Sequence, residues 1–341
     1  MDQTMNSVAS VGATLDEQAP PSPTVATQSP SRHRRAPEVA ALVAVLIILC
    51  VFFSIKSPYF LDGSNFVSII QAISVTGIIA VPGTMLIIGG QFDLSVGSAA
   101  AACGIVMATV GAQHGLALGV VASLVTGALV GVINGVLVTV VGVNALITTL
   151  GMLSVLGGLA EIWAGGQTKI LGGFSTLGTT RPFADIPTPV IIYVCVAIAG
   201  ALLMRYTIFG RSVYAIGSNP SAARLVGVRA RKIMLITFVA SGVAAALGGL
   251  ILTSQLGAAS PTSAAGMELS VLTAIVLGGA SLTGGRGSIL GTFIGLAIIG
   301  VLNNGLVLLN VSSFYQDVAR GSLLIVAVSF DQLRQHFSKT I

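Results

Sequence analysis

Between two long apolar runs, at 69–88 and 99–110, the chain reads Gly-Gly-Gln-Phe-Asp-Leu-Ser-Val-Gly-Ser over residues 89–98. Both runs are apolar enough for hydrocarbon, where a carboxylate such as Asp93 costs about 2.5–3.5 kcal/mol even on the mildest insertion scale. A residue of that kind is retained where protein or water surrounds it, and irregular backbone at membrane depth is tolerated under the same condition. Broken helices with such breaks mark solute pathways in transporters. The stretch therefore points to a polytopic transport protein with an interrupted helix at its centre.

Composition agrees. Of 341 residues, 54% are hydrophobic and only 8% charged, against roughly 25% charged in a soluble domain. A net charge of +5 raises nucleic acid as a partner. The basic residues, however, stand in loops beside apolar spans, as the positive-inside rule requires, so no nucleic-acid partner is expected. Cys50, Cys103 and Cys195 lie singly within apolar runs, without metal-ligand spacing, and read as small buried hydrophobes. Most of the 42 glycines suit close packing of membrane helices.

Residues 1–37, rich in Ser, Thr, Pro, Gln and Ala, cannot bury enough apolar surface to fold and read as a disordered cytoplasmic tail. Arg32, His33, Arg34 and Arg35 then precede the apolar run 39–53, a first membrane helix whose N-terminus they hold in the cytoplasm. Further spans follow at 69–88, 99–112, 116–141, 144–164, 190–204, 233–256, 269–280, 288–310 and 317–333. The total is ten, with the broken pair counted as two. The expected fold is an all-α polytopic membrane protein of about ten transmembrane helices, with broken or re-entrant segments and an internal repeat. Its permease domain is 38–335, followed by a short cytoplasmic tail at 336–341. Gln113-His114-Gly115 reads as a turn that leaves His114 solvated. The polar interruption at 165–188 falls outside, where a delivering protein has room to dock.

The repeat is read from two echoes. Gly131-Val132-Ile133-Asn134 returns as Gly300-Val301-Leu302-Asn303, and the Gly89-Gly90 break returns in the glycine-rich run 278–287. That run is no nucleotide loop, which needs Gly-Lys-Ser/Thr opening a helix. Only Lys56, Lys169, Lys232 and Lys339 are present, and none follows a glycine. With no clustered Ser/His/Asp set, metal constellation or paired carboxylates, no catalytic residue, metal site or cofactor is expected. Glu161, Glu268 and Asp317 stand alone at span ends.

Between 205 and 232 lie Arg205, Arg211, Arg224, Arg229, Arg231 and Lys232 without a single acidic residue, so this loop faces the cytoplasm. Within it, Asn219-Pro220-Ser221-Ala222-Ala223-Arg224 has a capping residue, a proline in the first turn and good helix formers. A short helix is expected there, stopping near Gly227.

The Asp93 stretch resembles the signature of membrane permease subunits of ribose-type sugar importers in the ATP-binding-cassette superfamily, with Phe92 where a smaller aliphatic residue is usual. The likeness continues in Gly-Arg-Ser-Val-Tyr-Ala-Ile-Gly-Ser-Asn-Pro at 210–220, Thr-Gly-Gly-Arg-Gly-Ser at 283–288, Gly-Val-Leu-Asn-Asn-Gly-Leu at 300–306 and Thr-Leu-Gly-Met at 149–152. Asn144, Gly157 and Ser270 depart from it, where proline, arginine and aspartate are frequent. Ala222, Ala223 and Gly227 are similar to the Ala-Ala-x-x-x-Gly loop that engages an ATPase. The resemblance implies cytoplasmic ATPase subunits, an external sugar-binding protein and a second permease subunit, expected as a homodimer. It also implies a lipid setting in a bacterial inner membrane with both termini cytoplasmic. Candidate pathway residues are Gln91, Asp93, Ser95, Asn134, Asn303 and Asn304, polar groups set among apolar spans. Asp93 is expected to fix the break by accepting hydrogen bonds. Candidate coupling residues are Arg211, Asn219, Ala222, Ala223, Arg224 and Gly227. Two other readings stand beside this one: a branched-chain amino-acid permease of the same superfamily, and a channel or ion-coupled carrier with Asp93 as ion site.

Overall fold

The computed structural model describes residues 36–183 and 185–339. The expected tail and its Arg32–Arg35 cluster lie outside the described residues, except Ala36 and Pro37, which open the first helix. In chain order the helices are α1 (Ala36–Lys56), α2 (Gly63–Ile88), α3 (Val96–His114) and α4 (Leu116–Val136), the last continued by one wider turn over Leu137–Val141. Then come α5 (Ala145–Ala164), the two-residue strand β1 (Lys169–Ile170), α6 (Thr188–Tyr206), α7 (Ile208–Ser218), α8 (Pro220–Leu225) and α9 (Ala230–Leu256). The strand β2 (Ala258–Ala259), α10 (Met267–Leu277), α11 (Ile289–Leu308) and α12 (Ser313–Lys339) complete the order.

Among the described residues, eight helices are long and apolar enough to cross a membrane, and α10 is a shorter apolar one. α12 is not among the eight, so ten spans is an approximate count. α12 also runs on to Lys339, through most of the segment expected as a C-terminal tail.

Helix ends follow local chemistry. Asn144 accepts from the backbone N–H groups of Leu146 and Ile147 and so opens α5. Ser288 does the same for α11 through the N–H of Gly291. β1 pairs antiparallel with β2, Lys169 opposite Ala259, which ties the long 165–187 connection to the end of α9.

Of the eight, α3, α9 and α11 are the most enclosed and α1 is the least covered. With lipid as apolar as leucine, helices in such a bundle gain by close approach, which small residues permit. A Cβ added at Gly127 of α4 would lie 2.4 Å from the carbonyl oxygen of Gly242 of α9, and one added at Gly242 would lie 2.1 Å from that of Gly127. The two backbones are in contact, so neither position admits a side chain. Gly278 and Gly291 repeat this between the end of α10 and the start of α11.

One end of the bundle, the basic end, carries the α6–α7 turn, α7, α8 and the start of α9. The opposite end carries β1 and β2. A cluster of Val81, Met85, Ile88, Met204, Val213, Ile216, Ala223, Met234 and Ile289 seats α7 and α8 against α2, α6, α9 and α11 at the basic end.

Candidate functional site

α2 stops at the basic end because Gly90 takes a left-handed conformation, φ +76°, which an L side chain resists. The N–H of Gly90 reaches the carbonyl of Ile87 at 2.9 Å and that of Gln91 reaches Leu86 at 2.9 Å, so the last turn closes on itself. From there to Ser95 the backbone is not helical. Gly89 lies against Met234 and Asp93 against Ser241, both on α9. Seven residues of helix between those two levels correspond to about 10 Å. The irregular segment therefore climbs inside the bundle before α3 begins at Val96.

Asp93 is what this climb is tied with. Its Oδ1 accepts from the backbone N–H of Ser95 at 3.1 Å and from the Ser95 hydroxyl at 2.7 Å. Its Oδ2 accepts from the Ser241 hydroxyl of α9 at 2.7 Å. Asn134 of α4 donates through Nδ2 to the Ser95 hydroxyl oxygen at 2.9 Å. Ser95, Asn134 and Ser241 are all buried. The network joins the break, α4 and α9 at a single side chain. Asn134 Oδ1 has no partner among the described residues. Gln91 and Phe92 are half-buried on the same segment.

A second break separates α10 from α11. Gly279, φ +85°, stands after Gly278 as Gly90 stands after Gly89, and its N–H reaches Val276 at 2.9 Å. The two breaks touch at the basic end: the N–H of Gly285 donates to the carbonyl of Ile88 at 2.8 Å. α7 sits on both. A Cβ at Gly217 would fall 1.8 Å from the carbonyl oxygen of Ile88, and the Tyr214 hydroxyl donates to the carbonyl of Gly287 at 2.9 Å.

Asn303 and Asn304 are elsewhere. They line a half-open cavity of about 450 Å³ bounded by α2, the segment leading into α10, α11 and α12, with Ser68, Thr76, Ser270 and Arg320 also on its wall. Asn304 donates through Nδ2 to Asn65 Oδ1 at 2.8 Å. The candidate pathway set thus divides into one group knotted together at the first break and another beside this cavity.

Of the candidate coupling residues, Asn219 caps α8 by accepting from the N–H of Ala222 at 3.0 Å, and Gly227, φ +81°, ends the turn after it. Arg211, Ala222 and Arg224 are exposed, whereas Ala223 is buried against the bundle. The outermost apolar groups of this segment are Leu225 and Val226, 89% and 78% exposed.

Sequence reasoning missed Ser241, Arg320, Tyr214, Gly217 and Leu225. Ser241, in Ala-Ser-Gly, has the look of an ordinary small packing residue, and no local signal marks its partner 148 positions away. Arg320 carried a readable signal, since a basic residue within a membrane span is a functional candidate on physical grounds alone. Tyr214 and Gly217 belong to α7, a helix hidden in what reads as a basic loop.

The chain matches the family model described as branched-chain amino acid transport system / permease component over residues 65–328. It is similar to the ribose import permease protein RbsC of Escherichia coli strain K12, 39% identical over 87% of this chain and 94% of that protein. RbsC of Bacillus subtilis strain 168 is 39% identical over 84% and 90%. The L-arabinose ABC transporter permease protein AraH of Azospirillum brasilense is 35% identical over 87% and 88%. No solved structure matches. With its interrupted central helix and a match that covers most of its length, the chain belongs to the branched-chain amino acid transport system / permease component family.

Proposed function

We propose that the chain is the membrane-spanning subunit of an ATP-driven importer, moving a monosaccharide or related polyol delivered by an external binding protein. The observation that carries this reading is the similarity, over 87% of the chain, to proteins named as ribose and L-arabinose import permeases. ATP hydrolysis resides on separate cytoplasmic subunits, in keeping with the missing Gly-Lys-Ser/Thr loop. The chain pairs with a second permease subunit, a copy of itself, in a bacterial inner membrane, with both termini cytoplasmic.

A ligand shifts a two-state equilibrium only through unequal affinity for its two states. ATP and the delivering protein supply that inequality, so the pore need hold sugar only weakly. Arg211, Asn219, Ala222, Ala223, Arg224 and Gly227 shape the surface on which an ATPase acts, with Leu225 and Val226 added as its apolar tip. Movement of α8 reaches both breaks because α7 contacts Ile88 and Gly287 directly. Gln91 lines the pathway, and Asp93, Ser95 and Asn134 hold its broken wall.

Uptake of labelled D-ribose, L-arabinose, D-galactose and branched-chain amino acids, in cells with and without the chain and with ATP intact or depleted, tests the reading. Chain-dependent, ATP-dependent uptake of one sugar is the expected result. Amino-acid uptake alone, or uptake that survives ATP depletion on an ion gradient, would overturn it.

A further inference from the structure

We infer that the irregular segment 260–266 and the start of α10 form a wall of the aqueous route through the membrane, and that Glu268 makes this route disfavour anions. That the solute taking the route is a sugar rests on the function proposed above.

The packing fixes the depth. α10 ends at the second break, at the basic end, and its 11 residues make about 16 Å, about half the thickness of the hydrocarbon. Met267 and Glu268 therefore begin the helix near mid-depth. α3 gives the same level independently, because it starts only after the first break has climbed about 10 Å from Gly89. A Cβ on Gly97, the second residue of α3, would overlap Oε2 of Glu268 and lie 2.8 Å from the carbonyl oxygen of Ala264. Seven residues further along α3, a Cβ on Gly104 would lie 3.7 Å from that of Ala259, which belongs to β2 at the opposite end. From Ala259 to Ala264 the chain thus descends about 10 Å beside α3. It does so in turns, such as the one closed by the N–H of Ser263 on the carbonyl of Ser260 at 3.1 Å.

Non-helical backbone at this depth does not face lipid; it is buried in protein or lines water. Thr262, Ala265 and Leu269, three and four positions apart, are exposed, so this chain leaves that flank uncovered. A second copy packed there by twofold symmetry would set Glu268 against its own like patch, and 260–269 contains no basic residue to pair with it. Water is the remaining neighbour. Glu268 is half-buried, and its carboxylate has no hydrogen bond or ion pair among the described residues. Neither of its oxygens, however, is sealed from the surface as Asn134 Oδ1, Asn303 Oδ1 and Asn304 Oδ1 are. Arg320 stands apart, on the cavity side of α10 with Met267 and Ser270, and pairs with Asp317. The first turns of α3 and α10, with the partial positive charge of helix N-termini, are what face the carboxylate. A carboxylate open to water between low-dielectric walls raises the local concentration of cations, lowers that of anions and leaves a neutral solute unaffected.

The test is charge-selective labelling of the full-length chain in lipid nanodiscs, which leave both faces open. Cys50, Cys103 and Cys195 are replaced by alanine, and Thr262→Cys, Ala265→Cys or, on the exposed face of α1, Ile48→Cys is introduced singly. A cationic and an anionic methanethiosulfonate reagent of similar size are compared, each rate divided by its rate with a free thiol in solution. Thr262→Cys and Ala265→Cys are expected to label and Ile48→Cys, facing lipid in an intact bundle, to stay unlabelled. At Ala265→Cys the cationic reagent should be favoured several-fold. Glu268→Gln should bring that ratio close to one, and Glu268→Asp should keep most of it. The ratio is read within one protein, so a lower yield of either variant leaves it unaltered. No labelling of Thr262→Cys and Ala265→Cys would overturn the route, as would their oxidative cross-linking between two copies in place of labelling. A cation preference unchanged by Glu268→Gln would overturn the role of Glu268. Labelling is read without transport, so absent sugar uptake counts against the proposed function and not against the route.

Discussion

The hydroxyl of Tyr214 donates to the backbone carbonyl of Gly287 at 2.9 Å, joining α7 to the second break. Three residues later on α7, Gly217 lies against the carbonyl of Ile88, the last residue of α2 before the first break. One short helix is therefore fastened to both interruptions of the bundle. α8, the exposed capped helix, follows α7 directly. α8 is thus joined at Asn219 to the helix that contacts both breaks.

Gly217→Ala tests this fastening. The added Cβ would meet backbone oxygen at 1.8 Å, which no side-chain rotation relieves, so α7 must lift from α2. Overpacking of this kind costs about 1–3 kcal/mol. The expected outcome is a protein that reaches the membrane, unfolds at lower temperature and takes up little sugar. Tyr214→Phe, which removes a hydroxyl and leaves the ring, should keep the unfolding temperature closer to wild type while still lowering uptake. Uptake equal to wild type in both variants would show that α7 transmits nothing.

At Asp93 the expectation is structural. Ser241→Ala removes the bond to Oδ2 seen among the described residues, and a hydrogen bond contributes about 0.5–1.5 kcal/mol net. Ser95→Ala removes a bond to Oδ1 and also the acceptor of Asn134, so it should cost more. Because both act on a single carboxylate, the double variant should depart from additivity by at least about 0.5 kcal/mol. Thermal unfolding of the detergent-purified protein at a fixed scan rate reads all three.

Gly90 and Gly279 give a paired test of the two breaks. A Cβ at either position meets nothing within 4 Å, so an alanine there is resisted by the left-handed backbone alone. That resistance is about 1–2 kcal/mol, and asparagine, which tolerates this region, should cost less. Equal losses of unfolding temperature at the two sites are the expected result. A large loss at one and none at the other would show that the breaks bear different loads.

Much of this was legible in the sequence, for a physical reason. Lipid-spanning runs must be largely apolar, so the spans from 39–53 to 288–310 stand out from composition, whereas the helix over 317–333 is not among the eight apolar enough to cross a membrane. Asn219, Pro220 and Gly227 give α8 its start and stop because capping acts over three or four residues. α7 was not legible: its segment carries Arg211 and polar residues that read as loop, and its burial depends on α2 and α11, far off in the chain. The same limit hid Ser241 as the partner of Asp93. The division of the candidate pathway into a knotted group and a cavity group also depends on contacts between distant helices, as in the bond of Asn304 to Asn65, 239 positions apart.

Leu225 and Ala223 separate docking from seating on α8. Leu225 is 89% exposed, so Leu225→Ser removes no packing and should change the unfolding temperature of the isolated permease by little, within about 0.5 kcal/mol of stability. If Leu225 and Val226 form the apolar tip on which an ATPase sits, that substitution should still reduce the ATPase retained with the permease in solubilised membranes, and uptake with it. Ala223 is 3% exposed and faces the cluster around Ile88 and Ile216. Ala223→Leu should therefore destabilise the permease by itself, by about 1–3 kcal/mol, before any partner binds. Quantifying co-purified ATPase beside the unfolding temperature distinguishes the two. Full retention of the ATPase by Leu225→Ser would remove the tip from the docking surface.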